Sequence, residues 1–390
     1  MKGSSAASVP GPFPPPARPE VESLQAYSAP LEGRRGLLRL DFNENTLGPS
    51  PKVVAAIQAI PPEHYAIYPE YDGLREAVAA ALGGAAQGIS AAHVGLFNGV
   101  DAALHAIFQA YGGPGDRLLT TSPTFGYYTP CARMQGMAIE AIPYTLPGYG
   151  FPLAAIRAAL SGAAAGAGFT PPKLLLICNP NNPTGTRLAP ERILELAAAA
   201  PATLVVVDEL YEAFTGDGVL PAALALPNLL VLRSLSKTAG IAGLRMGFAI
   251  GHPEVVDRVG RVTGPYDINS FAVTAAFAAL ADPAYVTGYV AEVLQARDWL
   301  VQQLTAAGVR HHAAGGNYLL IWPEAPPHQV EDQLRQAGIL VRSMAGKPLI
   351  EGALRVSIGT REQMARFWQA WQGLSAAPPP PCCPPGAASG

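Results

Sequence analysis

Cysteine, lysine and long apolar runs are what this chain has least of. Only four cysteines, Cys131, Cys178, Cys382 and Cys383, occur in 390 residues. Their spacing matches neither a zinc site nor a secreted disulfide framework, so no metal site is expected. The adjacent Cys382 and Cys383 have no accompanying ligands and read as part of a tail. Such sparing use of cysteine fits a reducing cytoplasm. No stretch approaches the roughly 18 apolar residues of a membrane helix, and MKGSSAASVPGPFPPPARPE lacks the apolar core of a signal peptide. Neither a membrane span nor an exported protein is expected. Charged residues make up only 14% of the chain and the net charge is −3. With no long basic run, nucleic acid is a poor partner. What is abundant is apolar: 49% of residues, enough for a large core and, at this length, two domains.

The scarcity of lysine makes one of them conspicuous. The five lysines are Lys2, Lys52, Lys173, Lys237 and Lys347. Lys237 sits in SLSKTAGIAGLRMG between two hydroxyls, Ser234 and Ser236, with Arg245 eight residues on. Hydroxyls and a guanidinium bind phosphate, and an amine forms a Schiff base with an aldehyde. Pyridoxal phosphate carries both groups, so the segment suggests an anchor for that cofactor.

Residues 1–35, rich in Pro, Gly and Ser at their start, are expected to be a flexible arm, and 373–390 a disordered proline-rich tail. Between them apolar runs alternate with helical stretches. KLLLICNP, ATLVVVDE and NLLVLRSLS read as buried strands, each ending in polar residues, and AAHVGLFN leads through a loop at Gly99, Val100 and Asp101 into a helix. This pattern predicts an α/β fold, a mostly parallel sheet sandwiched by helices over 36–275. After that come a long helix, PAYVTGYVAEVLQARDWLVQQLTAAG, and short strands in NYLLIWP, ILVRSM and ALRVSIG. They predict a smaller C-terminal α+β domain over 276–372, to which residues 36–50 contribute.

In a parallel sheet ligands bind beyond the carboxyl ends of the strands, where Asn182, Asp208, Tyr211, Ser234, Ser236 and Lys237 fall. Asp208 follows three apolar residues, and a buried acid needs a cation, which a pyridinium would supply. Tyr211 is near enough in sequence to reach the ring's phenolic oxygen, as is Asn182 from the rigid turn NPNNPTG. Gly99, Val100 and Asp101, at a strand-to-helix junction, offer backbone N–H groups to a phosphate. Phe125 can stack on a ring. Arg355 suits bidentate capture of a carboxylate, and with Arg342 a substrate with two anionic ends. Each residue also has a plain reading: a helix cap for Asp208 or Asp101, packing for Tyr211 or Phe125, a surface ion pair for either arginine.

In order along the chain, LDFNENTLGPSPKV, YPEYDGLREAVA, NGVDAAL, PTFGYY, NPNNPTG, DELYEAF, SLSKTAGIAGLRMG and LRVSIGTRE resemble the motifs of the fold-type I pyridoxal-phosphate aminotransferases. Within them the chain resembles the histidinol-phosphate aminotransferase branch, over residues 27–372. The resemblance implies that Lys237 carries the cofactor and shuttles the proton, and that Asp208 pairs the pyridinium. It implies that Asn182 and Tyr211 face the phenolic oxygen, and that Gly99, Val100, Asp101, Ser234, Ser236 and Arg245 hold the phosphate. Phe125 would stack on the ring. Tyr68 would reach the cofactor phosphate of a neighbouring subunit, implying a homodimer. Arg355, with Asn317, would hold the substrate carboxylate, and Arg342 and Tyr27 would lie near a substrate phosphate. The implied reaction exchanges an amino group between L-histidinol phosphate and 2-oxoglutarate. The chain departs from the pattern at Val100, Leu210 and GGNY 315–318. Those departures leave open an aromatic amino acid aminotransferase or a threonine-phosphate decarboxylase. A regulator built on this scaffold would need a DNA-binding domain, for which the N-terminal stretch is too short.

Overall fold

Four or five apolar residues in a row leave a strand no polar face, and the chain uses such strands where both faces are covered. Leu174–Cys178 (β4) and Leu204–Asp208 (β5) are buried at every position. They sit inside a seven-stranded sheet with Val94–Asn98 (β1), Arg117–Ser122 (β2), Ala138–Pro143 (β3), Leu229–Ser234 (β6) and Met246–Gly251 (β7). The order is β1-β7-β6-β5-β4-β2-β3. All neighbours are parallel except β7, which runs antiparallel to both β1 and β6. This is a computed structural model, and it describes residues 14–25, 32–162 and 169–374.

Alternation along each strand divides the core in two. Leu174, Leu176, Leu204, Val206, Leu230 and Leu232 face the helices Gly99–Tyr111 and Pro253–Gly260. Leu175, Ile177, Val205, Val207, Leu229 and Val231 face the helices Leu153–Ser161 and Pro190–Ala199. At roughly 25 cal/mol per Å² of buried apolar surface, these two layers are the largest stabilising term. They also fix the ends of β4, β5 and β6 side by side, which places Asn182, Asp208 and Ser234 at one rim.

A second, four-stranded antiparallel sheet joins His311–Ala313 (β8), Tyr318–Ile321 (β9), Arg342–Ser343 (β10) and Leu354–Ser357 (β11) in the order β10-β11-β9-β8. The helices Pro283–Ala306, Pro327–Gln336 and Arg361–Leu374 cover it. Leu38–Arg39 pairs in parallel with Ile339–Leu340 beside it. The helix Ser270–Leu280 runs through residue 275 and packs on Pro51–Gln58, whereas Pro283–Ala306 packs on Arg361–Leu374. The chain therefore changes partners at Ala281–Asp282, where the two helices bend by 80°, not at the junction expected after 275. No single helix among the described residues is long and apolar enough to cross a membrane, although that bent pair passes the same test jointly. Within the described residues no cluster of His, Cys, Asp and Glu could hold a metal ion.

The ends differ from expectation in two respects. A short helix, Pro19–Glu22, belongs to the expected arm, and Arg18 beside it donates to the Met134 carbonyl at 2.5 Å. The last helix continues through Gly373 and Leu374, where the tail was to begin. Residues 1–13, 26–31 and 375–390, and with them Tyr27, Cys382 and Cys383, lie outside the described residues.

One glycine ties the N-terminal segment to the large sheet. Gly240 has φ +74°, and a Cβ there would sit 2.2 Å from the Gly48 carbonyl oxygen. Gly240→Ala combines a left-handed L-residue with a backbone clash. It should lower stability by about 2–4 kcal/mol, read as a drop in the denaturant midpoint with unchanged m-value.

Candidate active site

Where β4, β5 and β6 end, a cavity of ≈ 280 Å³ opens between the two sheets. Of the residues singled out in the sequence, Val100, Asp101, Phe125, Asn182, Asp208, Tyr211, Ser234, Ser236, Lys237, Arg245, Arg342 and Arg355 all line it. Gly99 stands directly behind Val100. Tyr68 does not line it: 71% exposed, it stacks on Tyr266 with ring centroids 4.2 Å apart. Asn317 is fully buried behind the cavity wall, where its amide donates to the Asn43 carbonyl at 3.1 Å and its Oδ1 has no partner.

The floor carries two ionisable groups that burial holds away from their ordinary values. Asp208 ends β5 at 3% exposure. The Tyr128 hydroxyl donates to its carboxylate at 2.6 Å and the Leu210 N–H at 3.3 Å, and no cation pairs with it among the described residues. Desolvation outweighs both bonds and raises its pKa to about 6. Lys237 follows β6 and donates to the Phe42 carbonyl at 2.9 Å. Desolvation first, then the Arg355 charge, lowers its pKa to about 8. An amine so poised is partly neutral near physiological pH and able to attack a carbonyl.

One end of the cavity is an anion cradle. The loop expected at Gly99–Asp101 is instead the first turn of the helix Gly99–Tyr111, whose opening N–H groups lack intrahelical acceptors. Ser234 donates to Ser236 at 2.8 Å, and Arg245 pairs with Asp101 at 2.8 Å. Two glycines bring these parts together. A Cβ on Gly99 would lie 2.5 Å from the Arg245 guanidinium, and one on Gly247 would lie 2.6 Å from the backbone of Gly99 and Val100. Hydroxyls, a helix N-terminus and an arginine make a phosphate site.

The other end is a hydrogen-bonded chain. Arg355, in β11, donates through Nη1 to Asn182 Oδ1 at 2.6 Å and through Nη2 to the Asp41 carbonyl at 2.5 Å, and its Nε has no partner. The amide nitrogens of Asn182 and Asn43 donate to the Tyr211 hydroxyl at 3.2 and 3.0 Å. Tyr211, fully buried and raised well above the ordinary phenol value by desolvation, keeps its proton for an acceptor in the cavity.

Several residues here were not singled out from sequence: Tyr128, Phe42, Asn43, Gly247 and Cys178. Cys178 is a buried thiol that accepts the Asn182 N–H at 3.4 Å and whose pKa burial raises. The second tyrosine of PTFGYY was the available signal for Tyr128. Phe42 and Asn43 lie inside the quoted LDFNENTLGPSPKV, but nothing local tells that their backbones reach Lys237 and Asn317.

The residues fit one kind of guest: a phosphate in the cradle, an aldehyde at Lys237, and a cationic ring nitrogen at the orphaned Asp208. A family model, aminotransferase class I and II, matches residues 35–370. The chain is 34% identical over 369 residues to a histidinol-phosphate aminotransferase of Roseiflexus castenholzii, covering 89% of this chain and 94% of that protein. It is 33% identical to one of Moorella thermoacetica, covering 91% and 92%. The solved histidinol-phosphate aminotransferase of Sinorhizobium meliloti, in complex with pyridoxal-5'-phosphate, superposes with a TM-score of 0.81. At 23% identity and covering 92% of this chain and 98% of that one, it speaks for the fold alone.

Asp208, buried without an ion-pair partner among the described residues, yields a prediction in the cofactor-free protein. The folded pKa of Asp208, about 6, lies above its ordinary value of 3.8. The stability tied to its neutral form is complete below pH ~4 and lost as pH rises through 6. Asp208→Asn should therefore stabilise the cofactor-free fold at pH 7 by about 1–3 kcal/mol. That gain should vanish below pH ~4 in a pH series of urea unfolding curves.

Proposed function

The chain belongs to the class I and II aminotransferases, and from that membership we propose the following reaction, run on pyridoxal phosphate. L-histidinol phosphate and 2-oxoglutarate exchange an amino group, giving imidazole acetol phosphate and L-glutamate. The observation that carries this reading is one cavity holding a poised amine, a lone buried carboxylate and two anion-binding ends. The names of the relatives quoted above support the donor.

Pyridoxal phosphate, when bound, supplies an aldehyde that condenses with amines and a cationic ring that draws electrons from the donor's Cα. Lys237 Nζ would hold that aldehyde and, once freed, would serve as the base for the proton on the donor's Cα. Asp208 would pair with the ring nitrogen, giving the acid that is orphaned here its cation. Tyr211 and Asn182 would donate toward the phenolic oxygen. The first turn of the Gly99–Tyr111 helix, with Ser234, Ser236 and Arg245, would hold the phosphate, and Phe125 would pack on the ring. Arg355 takes the carboxylate of 2-oxoglutarate in one half-reaction. With Arg342 it faces the donor's phosphate in the other. The same end serves both because the two substrates occupy it in turn. Asn317 acts from behind, holding Asn43, and for Tyr27, which lies outside the described residues, we propose a role toward the donor's phosphate.

The enzyme works as a homodimer in the cytoplasm. Exposed Tyr68, stacked on Tyr266 and close in sequence to the exposed Tyr65 and Ile67, would reach the cofactor phosphate of the second subunit. Sedimentation of a monomer at working concentration would remove this part.

Two measurements test the reaction. Lys237→Ala should lose the visible absorbance of the lysine-held cofactor and about 10²- to 10⁴-fold in kcat; persistence of the band overturns the anchor. With 2-oxoglutarate as acceptor, kcat/KM for histidinol phosphate should exceed that for phenylalanine by about 100-fold or more. The reverse order would assign an aromatic amino acid aminotransferase.

A further inference from the structure

Lys347 lines the cavity beside Arg342 and Arg355 and has no part in the reaction as described above. It sits on the connection from β10 to β11, and that connection is anchored at several points. Met344 and Ile350 are buried with Tyr144, Tyr149 and Leu320. The Ala345 N–H donates to Ser343 Oγ at 3.2 Å, the Gly346 N–H to the Glu351 carboxylate at 2.8 Å, and the Lys347 N–H to the Met344 carbonyl at 3.0 Å. The backbone is thus fixed where the lysine stem leaves it.

The charges around it are unbalanced. Burial, then the like charges of Arg342 and Arg355, hold the Lys347 ammonium below the ordinary lysine value. Neither Lys347 nor Arg342 has an ion-pair partner among the described residues, and Arg355 is buried with an unpartnered Nε. The nearby carboxylates do not compensate. Asp41 is held bidentately by Arg34 at 2.7 and 2.9 Å, and Glu331, which feels Arg342, is itself pushed up by burial. Three cations converging on one end, with Arg355 buried, call for a guest with more than one negative charge.

We propose that Lys347, with Arg342, binds the phosphate of the amino donor and sets the preference for a phosphorylated donor over one without phosphate. The inference rests on the donor proposed above and adds a residue to it. The chemistry divides between the residue types. Arg355 presents a planar fork suited to a carboxylate, whereas an ammonium on a four-carbon stem is a movable point charge. A lysine can follow the longer phosphate ester in one half-reaction and withdraw in the other, which a fixed fork cannot do.

The test uses the cofactor-loaded enzyme with Lys347→Ala, Lys347→Gln and Lys347→Arg. Steady-state kinetics would be run on histidinol phosphate and on histidinol, and inorganic phosphate would serve as a competitive inhibitor. Loss of a charged hydrogen bond predicts a rise of about 10- to 100-fold in KM for histidinol phosphate in the Ala and Gln variants. The preference over histidinol should fall by the same factor, inorganic phosphate should inhibit correspondingly less, and Arg should restore most of the effect. A purely structural lysine would move kcat and both donors together. Unchanged KM and unchanged phosphate inhibition in Lys347→Gln overturn the inference. If the unaltered enzyme prefers phenylalanine, the donor assignment fails by itself, and the inhibition constant of inorganic phosphate still decides the role of Lys347.

Discussion

Arg355 is the contact on which both halves of the site depend. It is a guanidinium at 9% exposure with no ion-pair partner among the described residues, and its solvation is made of an amide and a carbonyl. Asn182 supplies the first from the loop after β4, and Asp41 the second from the N-terminal segment. Asn182 in turn donates to Tyr211, which follows β5. One cation thus fixes the antiparallel sheet, the parallel sheet and a segment more than 300 residues away in sequence relative to each other. Hydrogen bonds to a charged group are worth roughly 1.5–3 kcal/mol each. The cost of leaving such a charge bare exceeds that, so the arrangement is set by avoidance of a penalty more than by attraction.

The same penalty is left unrelieved on the floor of the cavity. Asp208 is buried and Lys237 partly buried, desolvation shifts both, and they are not bonded to each other. A fold selected for stability alone would pair or replace them. The two buried faces of the sheet make this tolerable. Burial of Val205, Val206 and Val207 on either side of β5 anchors the strand firmly enough that its terminal carboxylate cannot turn out to water. Rigidity of the sheet, supplied by apolar residues, thereby becomes a pKa shift at its rim, and the desolvation behind it leaves the carboxylate lacking a cation and the amine partly neutral.

Much of this was legible in the sequence because it is local. Runs such as LVVVD and LLLIC fix strand, burial and rim position together, so the apolar pattern by itself places Asp208, Asn182 and the SLSK segment at one edge. The junction at Gly99 was read as a loop because glycine there reads as a break in regular structure. In fact it has φ +80° and lets Arg245 close over the first helical turn. What stayed hidden is contact between distant segments. Nothing in PTFGYY tells which tyrosine reaches Asp208, and it is Tyr128, while its neighbour Tyr127 meets His105 at 2.5 Å. Nor does a lone lysine in RSMAGKPL reveal that it faces two arginines. The register of β10 against β11, which sets Arg342 opposite Arg355, decides that.

The charge distribution shows why the site is built for anions although the protein is not basic. The chain carries a net −3, yet the cavity lining has Lys237, Arg245, Arg342, Lys347 and Arg355 against only Asp101 and Asp208. Arg245 and Asp101 neutralise each other, and Asp208 sits at the floor. The uncompensated positive charge therefore concentrates at the Arg342–Arg355 end. A cleft with low-dielectric walls focuses such a field. A dianionic guest entering there is drawn inward by that end and meets a partly neutral amine beyond it. Lys237 can remain partly deprotonated because desolvation, and after it the charges of Arg355 and Arg245, hold its pKa near 8. The cations that draw the guest inward thus add to what desolvation does at the nucleophile.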